Sequence, residues 1–287
     1  MTLPSGRTRE VLSYLRGNVQ LSKTVEELKE EYQSAHPFPH LVLDDVFLPE
    51  TLDALIDESP SLGSASWAHE DDERRTKINF RSATDLGDCG YQFTAMLHSA
   101  AFLYLLTEIS GVKALLPDPY MAGGAYHVYP EGGKFDVHVD RNVDHVTGLM
   151  RRIAFLLYLN KNWRHENGGQ LELWDQEGTA CVKSIEPMFN RVVMFEVGDK
   201  NFHGVCPVTA GSGALRRSFV SYYHTVSHKL APHNSIFAPA IYRDKATLKS
   251  RIASNFLPPV LYRALKGVRD QGKARWLGSI ERDGRGY

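Results

Sequence analysis

Short apolar runs separated by turn residues fill the second half of the chain. Arg151 to Asn160 is apolar at nearly every position after its two arginines, which is typical of a central strand buried on both faces. Arg191–Phe195 has the same character, whereas Gly168–Asp175 and Cys181–Ile185 alternate apolar and polar residues, as half-buried strands do. With further extended runs at 134–140 and 216–224 and a short one that begins at His203, the pattern predicts roughly seven or eight strands. Many short strands with turn signals between them predict a mainly β fold of the jelly-roll or β-sandwich type.

Helical patterns flank the predicted strands. Leu21 to Glu31 has helical periodicity, and Thr24 followed by Glu27 predicts a capping box at its start. The stretch from Phe93 to Ile109 is apolar but contains histidine, glutamate and hydroxyl residues. It therefore predicts a buried helix rather than a membrane span.

The pattern divides the chain into three segments of one compact domain. Residues 1–118 are expected to form an N-terminal helical segment that leads into the core and packs on it. Residues 119–228 are expected to form the jelly-roll core, and residues 229–287 a basic helical extension. From 241 to 287 the chain has eleven Lys and Arg residues against four Asp and Glu residues. Helical spacing there predicts two short amphipathic helices, whose basic face is either solvated or in contact with an anionic partner.

A charged run, Glu70–Arg75, precedes the predicted core. The region lacks strong periodicity, so the pattern alone does not assign it to a helix or a strand. It is interpreted either as a solvated loop or, together with Lys77, Asn79 and Arg81, as a mobile lid over an active site.

The clearest chemistry lies in His138 and Asp140, followed 65 residues later by His203 and 13 residues after that by Arg216. In an extended segment, residues two apart point to the same face, so His138 and Asp140 can present an imidazole and a carboxylate to one ion. A second imidazole from another strand would complete a two-histidine, one-carboxylate face, which holds Fe(II) and leaves three positions open. An arginine supplies a fixed cation whose fork geometry binds a carboxylate. This set of residues predicts an oxygenase with an oxo-acid cosubstrate.

The stretch from Tyr126 to His224 resembles the catalytic core of the prolyl 4-hydroxylase-like Fe(II)/2-oxoglutarate dioxygenases. The matching pieces, in order, are YPEGGKFDVHVD, YLNKNW, GGQLELW, IEPMFNRVVMF, NFHGVCPVT and RRSFVSYYH. The resemblance covers about a third of the chain. It implies a double-stranded β-helix (jelly-roll) core with flanking helices.

The resemblance also implies a role for each polar residue of the site. It assigns three iron ligands, which are also the catalytic residues: His138, Asp140 and His203. Arg216 would bind the distal carboxylate of 2-oxoglutarate, Tyr158 matches a tyrosine that helps to hold that carboxylate, and Tyr129 matches one that lines the same pocket. Arg217 competes with Arg216, but strand alternation sends it to the opposite face. His127 and His145 flank the triplet as rival ligands, but the alternation around His127 favours a structural or substrate-facing role for it.

The chemistry that the resemblance implies is hydroxylation of a C–H bond with release of succinate and CO2. Fe(II) would be the metal, 2-oxoglutarate and dioxygen the cosubstrates, and ascorbate an added reductant. Related halogenases carry a small residue at the position of Asp140, so the carboxylate favours hydroxylation. The pocket wall is expected to include Phe155 and Phe195. The substrate stays open between a prolyl residue in a polypeptide and a small molecule or sugar, and a non-catalytic jelly-roll interaction protein that uses the basic tail is the rival class.

Composition adds the expected location. The formal net charge of −1 gives no overall attraction to nucleic acid or to a membrane surface. The three cysteines are odd in number and widely spaced, so no disulfide is expected, and the first ten residues lack the apolar region of a signal peptide. These features predict a cytoplasmic enzyme without a nucleic-acid partner and without a membrane span.

Overall fold

The computed structural model describes residues 15, 18–62, 64, 67–80, 83–144, 147–226, 233 and 235–238. Of the predicted basic extension at 229–287, the structure describes residues 233 and 235–238. Its two predicted helices, at 241–287, lie outside the described residues, as do Arg81 and His145. Four α-helices lie in the described part of the chain: α1 (Val25–Ser34), α2 (Pro49–Glu58), α3 (Asp88–Leu97) and α4 (Ala100–Ser110).

Thirteen strands accompany these helices within the described residues. They are β1 (His40–Leu43), β2 (Trp67–Asp71), β3 (Arg75–Phe80), β4 (Leu116–Pro117), β5 (Ala125–Tyr129), β6 (Lys134–Val139), β7 (Met150–Tyr158), β8 (Leu171–Trp174), β9 (Cys181–Ile185), β10 (Val192–Glu196), β11 (His203–Val205), β12 (Arg216–Thr225) and β13 (Ile236–Phe237). The fold is mainly β with flanking helices, as predicted.

All thirteen strands belong to one antiparallel sheet that curls into a half-barrel. The spatial order is β1-β10-β7-β12-β5-β3-β6-β11-β8-β9, while β2 pairs with β3, β4 with β12 and β13 with β6. Strands β1 to β4, which come from the segment predicted to be helical, are therefore part of the same sheet as the strands of the jelly roll. Curling brings the two ends of the order toward each other and gives the sheet a concave interior.

The central strand β7 is buried on both faces, as its sequence predicted. Ile153, Phe155 and Leu157 pack against the helices in the larger hydrophobic cluster. Ala154 and Tyr158 belong to a second cluster, which also contains residues of β8 and β10. The alternation of strand side chains thus separates a helix-facing core from the concave interior.

The predicted buried helix at 93–109 is two helices, α3 and α4, with a break at His98 and Ser99. Ser99 is the N-cap of the second helix, because its hydroxyl accepts the Phe102 N–H at 3.2 Å, and a single continuous helix is therefore interrupted here. In the described part of the chain no single helix is long and apolar enough to cross a membrane. The pair α3–α4, bent by 48°, meets the length and composition requirement only when its two helices are taken together.

The charged run at 70–75 forms the turn of a β-hairpin rather than a separate loop. Strands β2 and β3 pair from Trp67 opposite Phe80 to Asp71 opposite Thr76. The Asp72 carboxylate accepts the backbone N–H groups of Arg74 and Arg75, which closes the turn. Because β3 also pairs with β5 and β6, the hairpin is joined to the sheet beside the predicted metal ligands.

Asn190 connects the N-terminal segment to the sheet, and its loss is expected to destabilise the fold. Its side chain accepts the Phe47 N–H at 2.9 Å and donates to the Phe47 carbonyl at 2.7 Å, in a buried position. Asn190→Ala leaves both groups without partners, so we expect unfolding free energy to fall by about 2–4 kcal/mol in urea titrations. Asn190 has φ of 59°, and Asn190→Gly, which tolerates that backbone, should lose a similar amount. Recovery of stability in the glycine variant would instead assign the loss to backbone strain.

Candidate active site

Pairing of β6 with β11 brings the predicted metal ligands together. His138 and His203 are direct cross-strand partners, so their side chains point to the same face. Asp140 follows His138 by two residues and lies on that face too. Its Oδ1 atom lies 3.5 Å from Nε2 of His138 and 4.0 Å from Nε2 of His203. All three side chains are buried and their ligand atoms lie within 4.8 Å of one another, which suits a single metal ion.

The hydrogen bonds of the two imidazoles direct their Nε2 atoms to the metal position. Nδ1 of His138 lies 2.8 Å from the Asp136 carbonyl, and Nδ1 of His203 lies 3.1 Å from the Asn201 carbonyl. Because a carbonyl only accepts, each Nδ1 carries the proton and each Nε2 keeps a lone pair. Nε2 of His138 is buried and makes no hydrogen bond to any of the described residues. An imidazole fixed in this tautomer by a backbone acceptor fits a divalent metal.

The charges of the site also suit a metal. Burial raises the pKa of the Asp140 carboxyl, but contact with His138 and the nearby positive charges outweigh burial and hold the pKa well below its ordinary value. Burial, aided by His138, lowers the pKa of His203 to about 4. At neutral pH the site therefore offers a carboxylate and a neutral imidazole, the forms that coordinate metals.

Arg216 is buried in the same concave interior with the two predicted tyrosines. Its Nε–H donates to the Gly169 carbonyl at 2.6 Å, and Nη2 donates to the Tyr158 hydroxyl at 3.3 Å. The guanidinium carbon lies 4.8 Å from the ring centre of Tyr129 and 4.9 Å from that of Tyr158. These contacts fix the guanidinium plane, while the described residues provide it with no carboxylate within ion-pairing distance. A buried, oriented and uncompensated arginine is suited to an anionic ligand.

Strand register explains why Arg216 and not Arg217 faces the interior. On one side β12 pairs with β5, which places Arg216 opposite Tyr129. On the other side β12 pairs with β7, which places Ser218 opposite Tyr158, diagonal to Arg216. Arg216 is 1% exposed, whereas Arg217 is only partly buried. The structure thus brings all six sequence-predicted residues to one face.

Two further residues of the cavity were not among the six predicted site residues, although His127 was considered as a rival ligand and Lys77 as part of a lid. Lys77 on β3 and His127 on β5 line it together with Tyr129 and His138. His127 donates from Nε2 to the Gly123 carbonyl at 2.9 Å and is not one of the three metal-ligand residues. Lys77 stood in the segment interpreted as a loop or lid, and period-two alternation from Arg75 to Phe80 would have been the signal for a strand.

The prediction for the pocket wall was half wrong. Phe195 lines the cavity, as expected, and its ring centre lies 4.7 Å from that of His203. Phe155 points to the opposite face of β7 and packs on Phe47 and Phe102 in the helix-facing core. Leu156, which lies two residues before Tyr158 and so shares its face of β7, lines the cavity instead of Phe155.

A second buried group with metal-ligand chemistry lies outside this cavity. Asp118, Asp144 and His224 have ligand atoms within 4.8 Å of one another. The Arg151 guanidinium lies 3.5 Å from the Asp144 carboxylate and supplies a positive charge to the group. His224 is fully buried, and neither ring nitrogen is hydrogen bonded within the described residues. We assign no metal here because the arginine already offsets one carboxylate charge.

The fold and site define a class of protein. Residues 124–224 match the 2OG-Fe(II) oxygenase superfamily, and this span contains the three metal-ligand residues, Arg216 and both tyrosines. The segment is therefore similar to the domains of the 2OG-Fe(II) oxygenase superfamily. Fe(II), 2-oxoglutarate and dioxygen are the cofactor and cosubstrates of this class.

Among proteins with similar sequences are several that are named prolyl hydroxylases. The chain is 33% identical over 115 residues to prolyl 3-hydroxylase OGFOD1 of Xenopus laevis, a match that covers 37% of this chain and 22% of the relative. It is 39% identical over 88 residues to prolyl hydroxylase EGLN3 of Mus musculus, which covers 30% of this chain and 35% of the relative. The chain thus spans only about a fifth to a third of the length of these relatives.

Solved structures share the fold at lower sequence identity. A prolyl-4-hydroxylase of Pseudomonas putida superimposes with a TM-score of 0.54 at 17% identity, over 71% of this chain and 100% of that one. A prolyl hydroxylase of Trichoplax adhaerens, solved with a peptide of the hypoxia inducible factor oxygen degradation domain, gives a TM-score of 0.53 at 16% identity, over 78% of this chain and 94% of that one. Both likenesses establish the double-stranded β-helix fold.

Proposed function

We propose that this chain is an Fe(II)/2-oxoglutarate-dependent dioxygenase that hydroxylates a prolyl residue of a polypeptide, with release of succinate and CO2. The observation that carries the proposal is the single face on which the His138, Asp140 and His203 ligand atoms lie beside the buried Arg216. One group of residues suits a divalent metal and the other suits a dicarboxylate cosubstrate.

Different residues of the chain position the metal, orient the cosubstrate and exclude water. When bound, Fe(II) activates dioxygen and, with oxidative decarboxylation of 2-oxoglutarate, supplies the oxygen atom that enters the substrate C–H bond. His138, Asp140 and His203 would hold the metal, since their ligand atoms lie within 4.8 Å of one another. Arg216 and Tyr158 orient the distal carboxylate of the cosubstrate. Apolar side chains of the surrounding strands keep bulk water out of the cavity: Ala154, Leu156, Leu171, Phe195, Val205 and Val220.

A groove beside the metal position supports a polypeptide substrate. It has a volume of about 470 Å³ and is lined by residues of the β2–β3 turn together with Arg141 and Phe237. The ring centre of Phe237 lies 5.6 Å from that of His138, so the groove adjoins the metal ligands. An open groove of this kind can accept an extended polypeptide, whereas a small-molecule substrate would be expected to bind in a closed pocket. The prolyl hydroxylase names of the curated relatives point the same way.

The decisive experiment combines cosubstrate turnover with a substrate screen. The purified chain, supplied with Fe(II), dioxygen and 2-oxoglutarate, should form some succinate without substrate, which separates an enzyme from a non-catalytic jelly-roll binder. Proline-containing peptides should then gain the mass of one oxygen and raise succinate formation in proportion. Oxygenation of a sugar or small metabolite with none of any peptide would overturn the choice of substrate and leave the dioxygenase in place.

Asp140 is expected to restrict the reaction to hydroxylation. Its carboxylate occupies the coordination position that a halide would need. We therefore expect the product to carry oxygen from ¹⁸O-labelled dioxygen even in concentrated chloride, as measured by mass spectrometry. A chlorinated product from the unmodified chain would contradict this assignment.

Two further properties complete the proposal. Ascorbate would act as a reductant that returns oxidised iron to Fe(II) after turnovers without substrate, and omission of ascorbate should shorten the active lifetime of the enzyme. The cytoplasm would be its location, supported by three widely spaced cysteines, which suit a reducing compartment. Cell fractionation with an antibody to the chain tests the location.

A further inference from the structure

Lys77 reaches the metal end of the cavity from the β2–β3 hairpin. Strand β3 pairs with β2 along one edge, while its other edge pairs with β5 at Ile78 and Asn79 and with β6 at Arg75 and Thr76. Lys77 therefore lies where this edge passes from β5, which carries Tyr129, to β6, which carries His138. Its side chain is 10% exposed and lines the cavity with His138 and Asp140. The lysine is therefore held in place by the sheet and is not a mobile surface group.

The ammonium group of Lys77 is poorly compensated. Its contacts are the Glu70 carboxylate at 3.9 Å and the face of the Phe135 ring at 4.7 Å, and it makes no hydrogen bond to the described residues. An ammonium group has three N–H donors, and a buried charge without acceptors is costly. Burial lowers the pKa of Lys77 to about 8, although Glu70 and Asp140 act against that shift.

Metal binding would increase the need for an anion at Lys77. Of the two carboxylates that favour the ammonium, Asp140 lies in the cavity lining, and a divalent metal would take up that carboxylate. Among the residues that line the cavity, the metal and Lys77 would then place three positive charges against the one carboxylate of Asp140, because Glu70 lies outside that lining. A ligand carboxylate beside the metal would offset this charge and accept the N–H donors of the lysine.

We propose that Lys77 forms a carboxylate-binding subsite at the metal end of the cavity, separate from the one formed by Arg216. Two sources share this chemistry. One is the carboxylate of 2-oxoglutarate that is not held by Arg216, and the other is an acidic group of the substrate. The inference rests on the proposed function in both cases, on its cosubstrate for the first source and on its substrate for the second.

The test compares two ligands in enzyme loaded with Mn(II), which binds like Fe(II) without turnover. The first readout is the Kd of 2-oxoglutarate, measured by calorimetry. The second is the relaxation of acetate methyl protons by enzyme-bound Mn(II) after 2-oxoglutarate is in place, because acetate mimics an acidic side chain. The variants are Lys77→Met and Lys77→Gln, with Lys77→Arg as the charge-conserving form and Lys161→Met, a half-exposed lysine outside the cavity lining, as the control.

Each outcome decides the proposal. A rise of about 10- to 100-fold in the 2-oxoglutarate Kd of Lys77→Met, with partial recovery in Lys77→Arg, assigns the subsite to the cosubstrate. An unchanged Kd with loss of acetate relaxation assigns it to the substrate. Lys161→Met should alter neither readout.

The proposal is overturned if Lys77→Met keeps both the wild-type Kd and the wild-type acetate relaxation. It is equally overturned if the Kd is unchanged and the wild-type protein shows no acetate relaxation. Circular dichroism checks that the variants fold, and Lys77→Gln replaces Lys77→Met if the methionine does not. Neither readout needs turnover, so a chain that fails to hydroxylate peptides still tests this subsite.

Discussion

Replacement of His138, Asp140 or His203 by alanine is expected to abolish both iron binding and 2-oxoglutarate turnover. The three ligand atoms lie within 4.8 Å of one another, so each contributes a third of the protein donors to one ion. Two remaining donors rarely hold Fe(II) in an open geometry. Iron content by mass spectrometry and succinate formation should both fall to background in each variant.

His127 provides the control for these substitutions. It is also a buried histidine of the cavity, but its Nε2 atom donates to a backbone carbonyl. We expect His127→Ala to keep about one iron per chain, since it removes no ligand. If one of the three variants retained iron and turnover at the level of the unmodified protein, that residue would no longer belong to the site.

The shared face of His138 and Asp140 was predictable because it depends only on local strand geometry. The two-residue spacing of His138 and Asp140 places them on one face of any extended strand. His203 is the first residue of a short strand, and its pairing with His138 follows once β6 and β11 are neighbours. The neighbour relation itself came from the resemblance, since strand order is a long-range property that residue spacing does not encode.

The error at Phe155 shows where strand patterns lose information. A strand buried on both faces is apolar at every position, so hydrophobicity does not tell which side chains face the cavity. Residues two apart on a strand share a face, so the cavity-facing side chains can be identified once one residue of the strand is assigned to the site. Tyr158 was assigned, and counting back by two gives Leu156 and Ala154, both of which line the cavity. Phe155 is one residue out of phase.

Lys77 was missed for a different physical reason. The hairpin that carries it has a strongly charged turn, and charge runs are most often solvated loops. Its burial depends on β3 pairing with β5 and β6, which are about 50 to 60 residues further along the chain. A lysine in a polar segment becomes a buried cation only through that tertiary pairing.

Arg216→Ala is expected to weaken 2-oxoglutarate binding strongly while iron content stays nearly intact. Loss of a charge-assisted fork to a buried carboxylate costs about 2–5 kcal/mol, which raises the Kd by roughly 30- to several thousand-fold. Tyr158→Phe removes only the hydroxyl that lies 3.3 Å from Nη2 of Arg216. Its Kd should rise by about 2- to 10-fold. Calorimetry with Mn(II)-loaded protein gives both values.

Arg217→Ala is the matched control, because Arg217 has the same chemistry one residue away on the opposite face of β12. It should leave the 2-oxoglutarate Kd close to that of the unmodified protein. A large effect at Arg217 and none at Arg216 would mean that the register of β12 is shifted by one residue. Such a shift would also uncouple Arg216 from Tyr129, its direct partner on β5, and Ser218 from Tyr158 on β7. The pair of substitutions therefore tests the geometry of the whole carboxylate site, and not the charge of one side chain alone.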